Sequence, residues 1–314
     1  ALTSCTEPSE GATMYVTLEP CCHYGRQPPC TEAILKAGIK RVVVGAHDPN
    51  PLVSGKGIQI LRGRGLEVTE GVLENECIRL NEVFFHYIQT KRPFVVMKYA
   101  MTLDGKIAAY TGTSKWVTGE QARNHVQEQR HRYTGIMVGV GTVLADDPLL
   151  TCRKAGCKNP IRIICDTDLR TPLTAQVVTT AKQAPTILVT CSVDREKWTG
   201  YEEAGCRILP AERKNGRIDL ERLMERLGQE GIDSILLEGG GTLNWAALES
   251  GIVQKVQAYI APKLFGGQTA KTPVEGAGVP SPGCAFQLKN MVITQLGEDI
   301  LLESEVVSHV HRDC

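Results

Sequence analysis

Leu18–Cys30 reads LEPCCHYGRQPPC, and its reading decides the fold of the first part of this 314-residue chain. An apolar run, Met14 to Leu18, leads into it and has the make-up of a buried strand. Glu-Pro-Cys stands at the strand end and Pro-Pro-Cys opens the next segment. Thr31 to Gly38 (TEAILKAG) reads as a short helix stopped by glycine. Arg41 to Gly45 (RVVVG) is β-branched, as in a buried parallel strand. HDPNPLVSGKG, from His47, is a Pro-, Asn- and Gly-rich loop. A helix over Gly57–Arg64, a strand over Leu66–Val68 and an amphipathic helix over Asn75–Ile88 complete the unit. This βαβα order predicts a three-layer α/β fold.

Cys21 and Cys30 bracket the Tyr-Gly turn and the Pro-Pro pair. Pro-Cys at a strand end, with a second Cys shortly after, is the thiolate half of a zinc nucleobase-deaminase site. Catalytic zinc keeps three protein ligands and a water, and two Cys plus one His meet that count. The metal acidifies the water, and a Glu that does not bind the metal carries the proton to the leaving amine. The Cys-x8-Cys spacing is longer than the Pro-Cys-x-x-Cys of cytidine-type enzymes, and the plain alternatives are a structural zinc knuckle or two free thiols. Cys22 reads as a packing residue, and His23 as a contact to ligand or loop backbone or, in place of a missing His, a zinc ligand. Arg26, over the site, can meet a phosphate, and Asn50, in DPNP, has the rigid setting of a base-reading amide.

Gln89 to Pro93 is polar and broken by proline, and marks a domain boundary. Domains are expected at 1–90 and 94–306. Strands follow at Phe94–Ala100, Gly135–Val140, Arg162–Asp166, Thr186–Thr190, Ser234–Leu237 and Val256–Ala261, with helices at Gln121–Tyr133, Leu220–Leu227 (N-cap Asp219) and Trp245–Ser250. A Thr-Leu-Asp-Gly turn after the Phe94 strand places polar groups at the C-terminal edge of a parallel sheet, where α/β folds bind ligands. Trp116 offers a flat face for a nicotinamide or pterin-like ring, or a packing anchor. Gly139–Pro148 (GVGTVLADDP) resembles a dinucleotide fingerprint weakly, because Leu144 stands at the third-glycine position. Arg130 and Arg153 are candidates for a sugar-phosphate clamp or simply solvated surface. Ile235–Leu243 (ILLEGGGTL) runs a buried strand into three glycines and a helix, an anion site for a cofactor phosphate or a tight turn.

Lys+Arg and Asp+Glu are both 35, so the net charge of zero argues against a general nucleic-acid or anionic-membrane surface. No apolar run approaches the ~20 residues of a membrane helix. Twelve cysteines with no sign of a secreted context read as thiols in a reducing cytosol. The tail around His311 reads as a disordered end.

Together these motifs resemble the bifunctional deaminase–reductase family of riboflavin biosynthesis. Leu18–Cys30 followed by HDPNPLVSGKG is similar to its deaminase domain, with Cys22 where the family usually has Ser. KYAMTLDGKIA, SKWVT, GVGTVLADDP, ILLEGGGTL and KLFGG, spanning about Phe94 to Leu302, are similar to its reductase domain. The resemblance implies a cytidine-deaminase-like three-layer domain, N-terminally incomplete, then a dihydrofolate-reductase-like α/β domain. It implies deamination of a diaminopyrimidinone ribosylamine 5′-phosphate with Zn2+, then NADPH-dependent reduction of the ribosyl to a ribityl chain. The family's His-Ala-Glu would fall before Ala1, so the deaminase half is expected to be inactive, with no catalytic residue to name in this stretch. Cys21 and Cys30 become zinc ligands, and Arg26 and Asn50 substrate contacts. Cofactor contacts are Ala100, Trp116, Thr142, Asp146, Thr167, Gly240, Gly241, Thr242, Leu243, Asn244, Trp245 and Ala246. Substrate contacts are Ser114, Arg130, Leu150, Arg153 and Glu238. Lys98 and Asp104 match the pattern without an assigned proton-transfer role. A cytoplasmic homo-oligomer with a small-molecule substrate is expected. The alternatives are a reductase-only pterin-like or dihydrofolate-reductase-like enzyme and a non-catalytic zinc-binding module.

Overall fold

The computed structural model describes residues 2–25 and 27–307. Its contacts divide the chain into two units, Ala1–Lys91 and Arg92–Cys314. Arg26 and His311 lie outside the described residues.

In the first unit three parallel strands stand side by side, β1 (Thr13–Leu18), β2 (Arg41–Ala46) and β3 (Glu67–Thr69), in that order. The central strand β2 packs Val42 and Val44 against Ile34 of α1 (Cys30–Lys36) and Ile58 and Leu61 of α2 (Lys56–Gly63). A parallel strand covered on both faces needs an unbroken apolar run, which is why RVVVGA does not alternate. The expected helix over Asn75–Ile88 is two helices, α3 (Glu74–Leu80) and α4 (Glu82–Thr90). Asn81 interrupts them and donates its side-chain amide to the Cys77 carbonyl at 2.9 Å. Such a side-chain bond competes with the helical backbone ladder.

The second unit is built on nine strands: β4 (Phe94–Thr102), β5 (Gly135–Gly139), β6 (Ile161–Cys165), β7 (Thr186–Thr190), β8 (Arg207–Pro210), β11 (Ser234–Leu237), β12 (Lys255–Ala261), β13 (Leu288–Leu296) and β14 (Asp299–Val306). Their order is β13-β14-β12-β4-β11-β5-β6-β7-β8. A two-stranded hairpin, β9 (Arg213–Lys214) with β10 (Arg217–Ile218), stands apart from that sheet. All pairings from β12 to β8 are parallel, and β14 and β13 add antiparallel at one edge. The β13–β14 hairpin, β8 and the β9–β10 hairpin are strands the sequence reading did not anticipate.

Between the strands run α5 (Glu120–Arg132), α6 (Val140–Asp146), α7 (Gln176–Thr179), α8 (Arg195–Glu203), α9 (Leu220–Gln229) and α10 (Gly241–Glu249). Asp219 caps α9 as expected, accepting from the Glu221 and Arg222 amides at 3.1 and 3.2 Å. Leu220, Leu223, Met224 and Leu227 then fall on one buried face, at ~2 kcal/mol of transfer energy each. Three helices were not expected, α6, α7 and α8, and α6 forms inside the Gly139–Pro148 stretch, read as a weak dinucleotide fingerprint. α10 starts four residues before Trp245, directly on the glycines.

Candidate active sites

The parallel topology sends the ends of β5, β6 and β11 to one edge of the large sheet. There a cavity of about 630 Å3 opens. Its wall takes Gly139 to Thr142 and Asp146 from the β5–α6 connection, Thr167, Asp168 and Arg170 after β6, and Gly240 to Leu243 and Ala246 from α10. Ser114 joins from the loop after β4 and donates to Asp146 Oδ1 at 3.1 Å.

The three glycines have separate causes. A Cβ at Gly239 would stand 2.7 Å from Asn244 Oδ1, and one at Gly241 would stand 2.5 Å from Glu275 Cγ. Packing forces both. At Gly240 the nearest atom would be Thr142 Oγ1, at 3.9 Å, so its bareness faces the opening. Gly240 is also the N-cap of α10, where backbone N–H groups have no helical partner and attract anions. The geometry here suits an anion.

Not every expected cofactor contact lines that wall. Asn244 is fully buried and donates to the Pro273 carbonyl at 2.8 Å. Trp245 packs edge-on against Phe286 with centroids 5.9 Å apart. Ala100 packs toward Ala122, Val126, Tyr259 and Leu301. Trp116 is exposed, and the Arg123 guanidinium lies 4.9 Å over its ring.

Two residues before Gly240, at the end of β11, Glu238 forms the second part of the site. Arg130 Nε and Nη2 donate to its two carboxylate oxygens, each at 2.8 Å, and Nη1 donates to the Thr151 carbonyl at 3.1 Å. Lys98 Nζ lies 3.8 Å from Glu238 Oε2. Burial by itself would raise the Glu238 carboxyl, but Arg130 and Lys98, with Arg153 behind them, hold it at about 2. Burial lowers the Lys98 ammonium from its ordinary value, and Glu238 opposes that shift only in part. Lys98 is the buried charged residue beside Glu238 for which the sequence reading had no role. Its signal was a lone lysine inside the apolar run FVVMKYA.

Arg153 and Leu150 sit on the strap after α6. Leu150 has φ 54° and a buried side chain within the core around Val138, Ile164 and Leu188. Asp104 accepts from Thr102 Oγ1 at 2.6 Å, Gly266 N at 2.7 Å and Phe265 N at 3.1 Å, and so pins the KLFGG loop. Those donors hold its carboxyl at about 2.

In the first unit Cys21 Sγ and Cys30 Sγ lie 3.3 Å apart. Thiolates bound to one tetrahedral zinc at ~2.3 Å also converge to within about 4 Å, so the pair fits that ion. Among the described residues no third His, Cys, Asp or Glu completes a metal cluster. Burial, then the Cys21 thiol, pushes the Cys30 thiol up. Asn50 is half-buried, and its side-chain oxygen accepts from Leu52 N at 3.1 Å. Glu19, fully buried, accepts from the Gly55 and Ile58 amides at 2.9 and 3.3 Å and fixes the loop that carries Asn50.

A close pair of cysteines in one unit and a cavity of about 630 Å3 in the other suit an enzyme of the deaminase–reductase class. Comparisons with known proteins give the family. The RibD C-terminal domain matches residues 93–302, and the cytidine and deoxycytidylate deaminase zinc-binding region matches residues 1–46. The riboflavin biosynthesis protein RibD of Actinobacillus pleuropneumoniae is 54% identical over 98% of this chain and 82% of its own length. RibD of Acinetobacter baumannii superposes with a TM-score of 0.82 at 36% identity, covering 95% of this chain and 82% of that one. A Thermotoga maritima diaminohydroxyphosphoribosylaminopyrimidine deaminase/5-amino-6-(5-phosphoribosylamino)uracil reductase does so at 0.79 and 36%, covering 96% and 81%. The chain belongs to the RibD family, bifunctional enzymes of riboflavin biosynthesis that combine a zinc deaminase with an NADPH-dependent reductase. Two family matches in one chain disfavour the reductase-only alternative. No helix of the described residues is long and apolar enough to cross a membrane.

Proposed function

We propose that residues 94–306 reduce the ribosylamino group of a deaminated phosphoribosylaminopyrimidine, and that residues 1–90 form the domain that deaminates its diamino precursor. The observation that carries this reading is the succession along β11 and α10 of a buried, charge-paired Glu238 and a glycine cradle at Gly240.

NADPH, when bound, supplies the hydride for C1′. Gly240 to Leu243, Ala246, Thr142, Asp146 and Thr167 hold the cofactor, while Ala100, Trp116, Asn244 and Trp245 stand outside that wall. Ser114 orients Asp146 and meets the substrate. Glu238 accepts from the sugar hydroxyls, Arg130 aligns Glu238 through its two-point contact, and the Leu150 backbone with Arg153 takes the 5′-phosphate. Hydride addition to an imine carbon leaves nitrogen in need of a proton. Lys98 holds one at Nζ, and its desolvation makes that proton easier to release.

In the first unit Cys21 and Cys30 are two ligands of Zn2+, and Asn50 and Arg26 meet the substrate. Bound zinc supplies an acidified water. The protein works in the cytoplasm as a homo-oligomer. The unpaired edge of β13 supports assembly: Met291, Val292 and Ile293 are 61, 52 and 65% exposed there. Exposed apolar strand edges invite pairing.

The test is NADPH oxidation by the purified chain. Turnover of the deaminated substrate is expected. Turnover that persists undiminished when the 5′-phosphate is removed would argue for a pterin-like substrate instead.

A further inference from the structure

One end of the large cavity carries charge that the function above does not use. Beyond Thr167 the chain runs through Asp168 to Arg170, and the β9–β10 hairpin brings Gly216 and Arg217 to the same wall. Arg213, on the hairpin, donates Nη2 to Asp168 Oδ1 at 2.6 Å and Nη1 to the Gly216 carbonyl at 3.0 Å. One arginine therefore fastens the hairpin tip to the loop after β6 and matches the charge of Asp168. Arg170 and Arg217 are exposed, and no carboxylate among the described residues pairs with either. Two uncompensated guanidinium groups thus face the same end of the cavity.

The rest of the cavity sets what that end meets. With the diphosphate on the Gly240 amides, the two halves of a dinucleotide have the Ser114–Asp146 and the Thr167–Arg170 parts of the wall to occupy, and the arginines suit the half that carries a further phosphate. In doubly wound dinucleotide folds a carboxylate holds the ribose 2′-hydroxyl, and an arginine nearby accommodates a 2′-phosphate. Asp168 alone would repel that phosphate. Paired with Arg213, it presents no net charge.

We propose that Arg170 and Arg217 bind the 2′-phosphate of the adenosine ribose of NADPH, and that the Arg213–Asp168 pair keeps the site open to it, so that these residues select NADPH over NADH. The proposal rests on the reading of this unit as an NADPH-dependent reductase and names the residues that make it so.

Calorimetric titration of the whole chain with NADPH and with NADH tests this without any turnover. The wild-type chain is expected to prefer NADPH. In the R170Q/R217Q variant the Kd for NADPH should rise tenfold or more, with NADH unchanged within twofold. The NADPH affinity should also lose much of its dependence on salt, since exposed charge pairs are screened. R213Q should weaken NADPH and leave NADH equal or tighter, because Asp168 then stands uncompensated. All three arginines are exposed, so melting temperatures should stay close to wild type. Equal weakening of both nucleotides, or unchanged NADPH affinity in the double variant, overturns the proposal while leaving the reductase reading intact. A folded wild-type chain that binds neither nucleotide overturns the cavity as a cofactor site, and this assignment with it.

Discussion

Arg130 and Glu238, 108 residues apart in the chain, meet through two parallel hydrogen bonds of 2.8 Å with only 14 and 11% of their side chains exposed. The planar guanidinium matches the carboxylate edge to edge, which fixes the carboxylate's direction as well as its charge. Removing one partner of a buried pair leaves the other uncompensated and costs ~3–5 kcal/mol. Arg130→Gln should therefore lower the melting temperature of the second unit by about 10 °C, read by calorimetry. An unchanged melting temperature would show the pair to be solvated.

The same pair makes stability depend on acid. The Glu238 carboxyl sits at about 2 when folded, against ~4.3 for a free Glu. A depressed carboxylate contributes stability that is complete above its unfolded value and disappears as pH falls through its folded value. About two units correspond to ~3 kcal/mol, lost between pH ~5 and ~2. Urea unfolding of wild type and Glu238→Gln at neutral pH and at pH ~3 should show a smaller acid loss in the variant. Parallel losses would place the acid sensitivity elsewhere.

Lys98→Gln separates binding from chemistry. Proton delivery by a placed side chain is worth about 10²–10⁴ in rate. The variant should lose at least ~100-fold in kcat for reduction and bind NADPH within about threefold of wild type. A rise in KM with kcat preserved would make Lys98 a substrate anchor instead.

The edge strand β13 should govern assembly. Ile293→Lys puts a charge in the exposed apolar row and should shift the protein to a smaller species in sedimentation velocity, with the reductase fold retained. Identical sedimentation would remove β13 from the interface.

Much of this fold was legible because parallel strands are apolar without alternation. RVVVG and RIICD announce buried β2 and β6, and Asp219 announces the start of α9. The β13–β14 hairpin was not, because its apolar residues are largely exposed and resemble a loop edge. α6 was hidden by the glycines and aspartates of GVGTVLADD, which cap and flank a helix of only seven residues. At the site, Cys21 with Cys30 and the triple glycine are local motifs and could be read directly. The pairing of Arg130 with Glu238 joins α5 to β11 across 108 residues. Each could be nominated singly, but their partnership, and the burial that lowers the Lys98 ammonium, exist only in the folded chain.

The central claim is that hydride reaches the sugar carbon C1′ and not the pyrimidine ring. It is tested most directly with NADPH deuterated at C4 of the nicotinamide, on each face in turn, and the deaminated phosphoribosylamino substrate. Mass spectrometry and NMR of the product should find deuterium at C1′ of a ribityl chain, from one face only. Deuterium in the ring, or a product with the ribosyl group unchanged, would contradict the account.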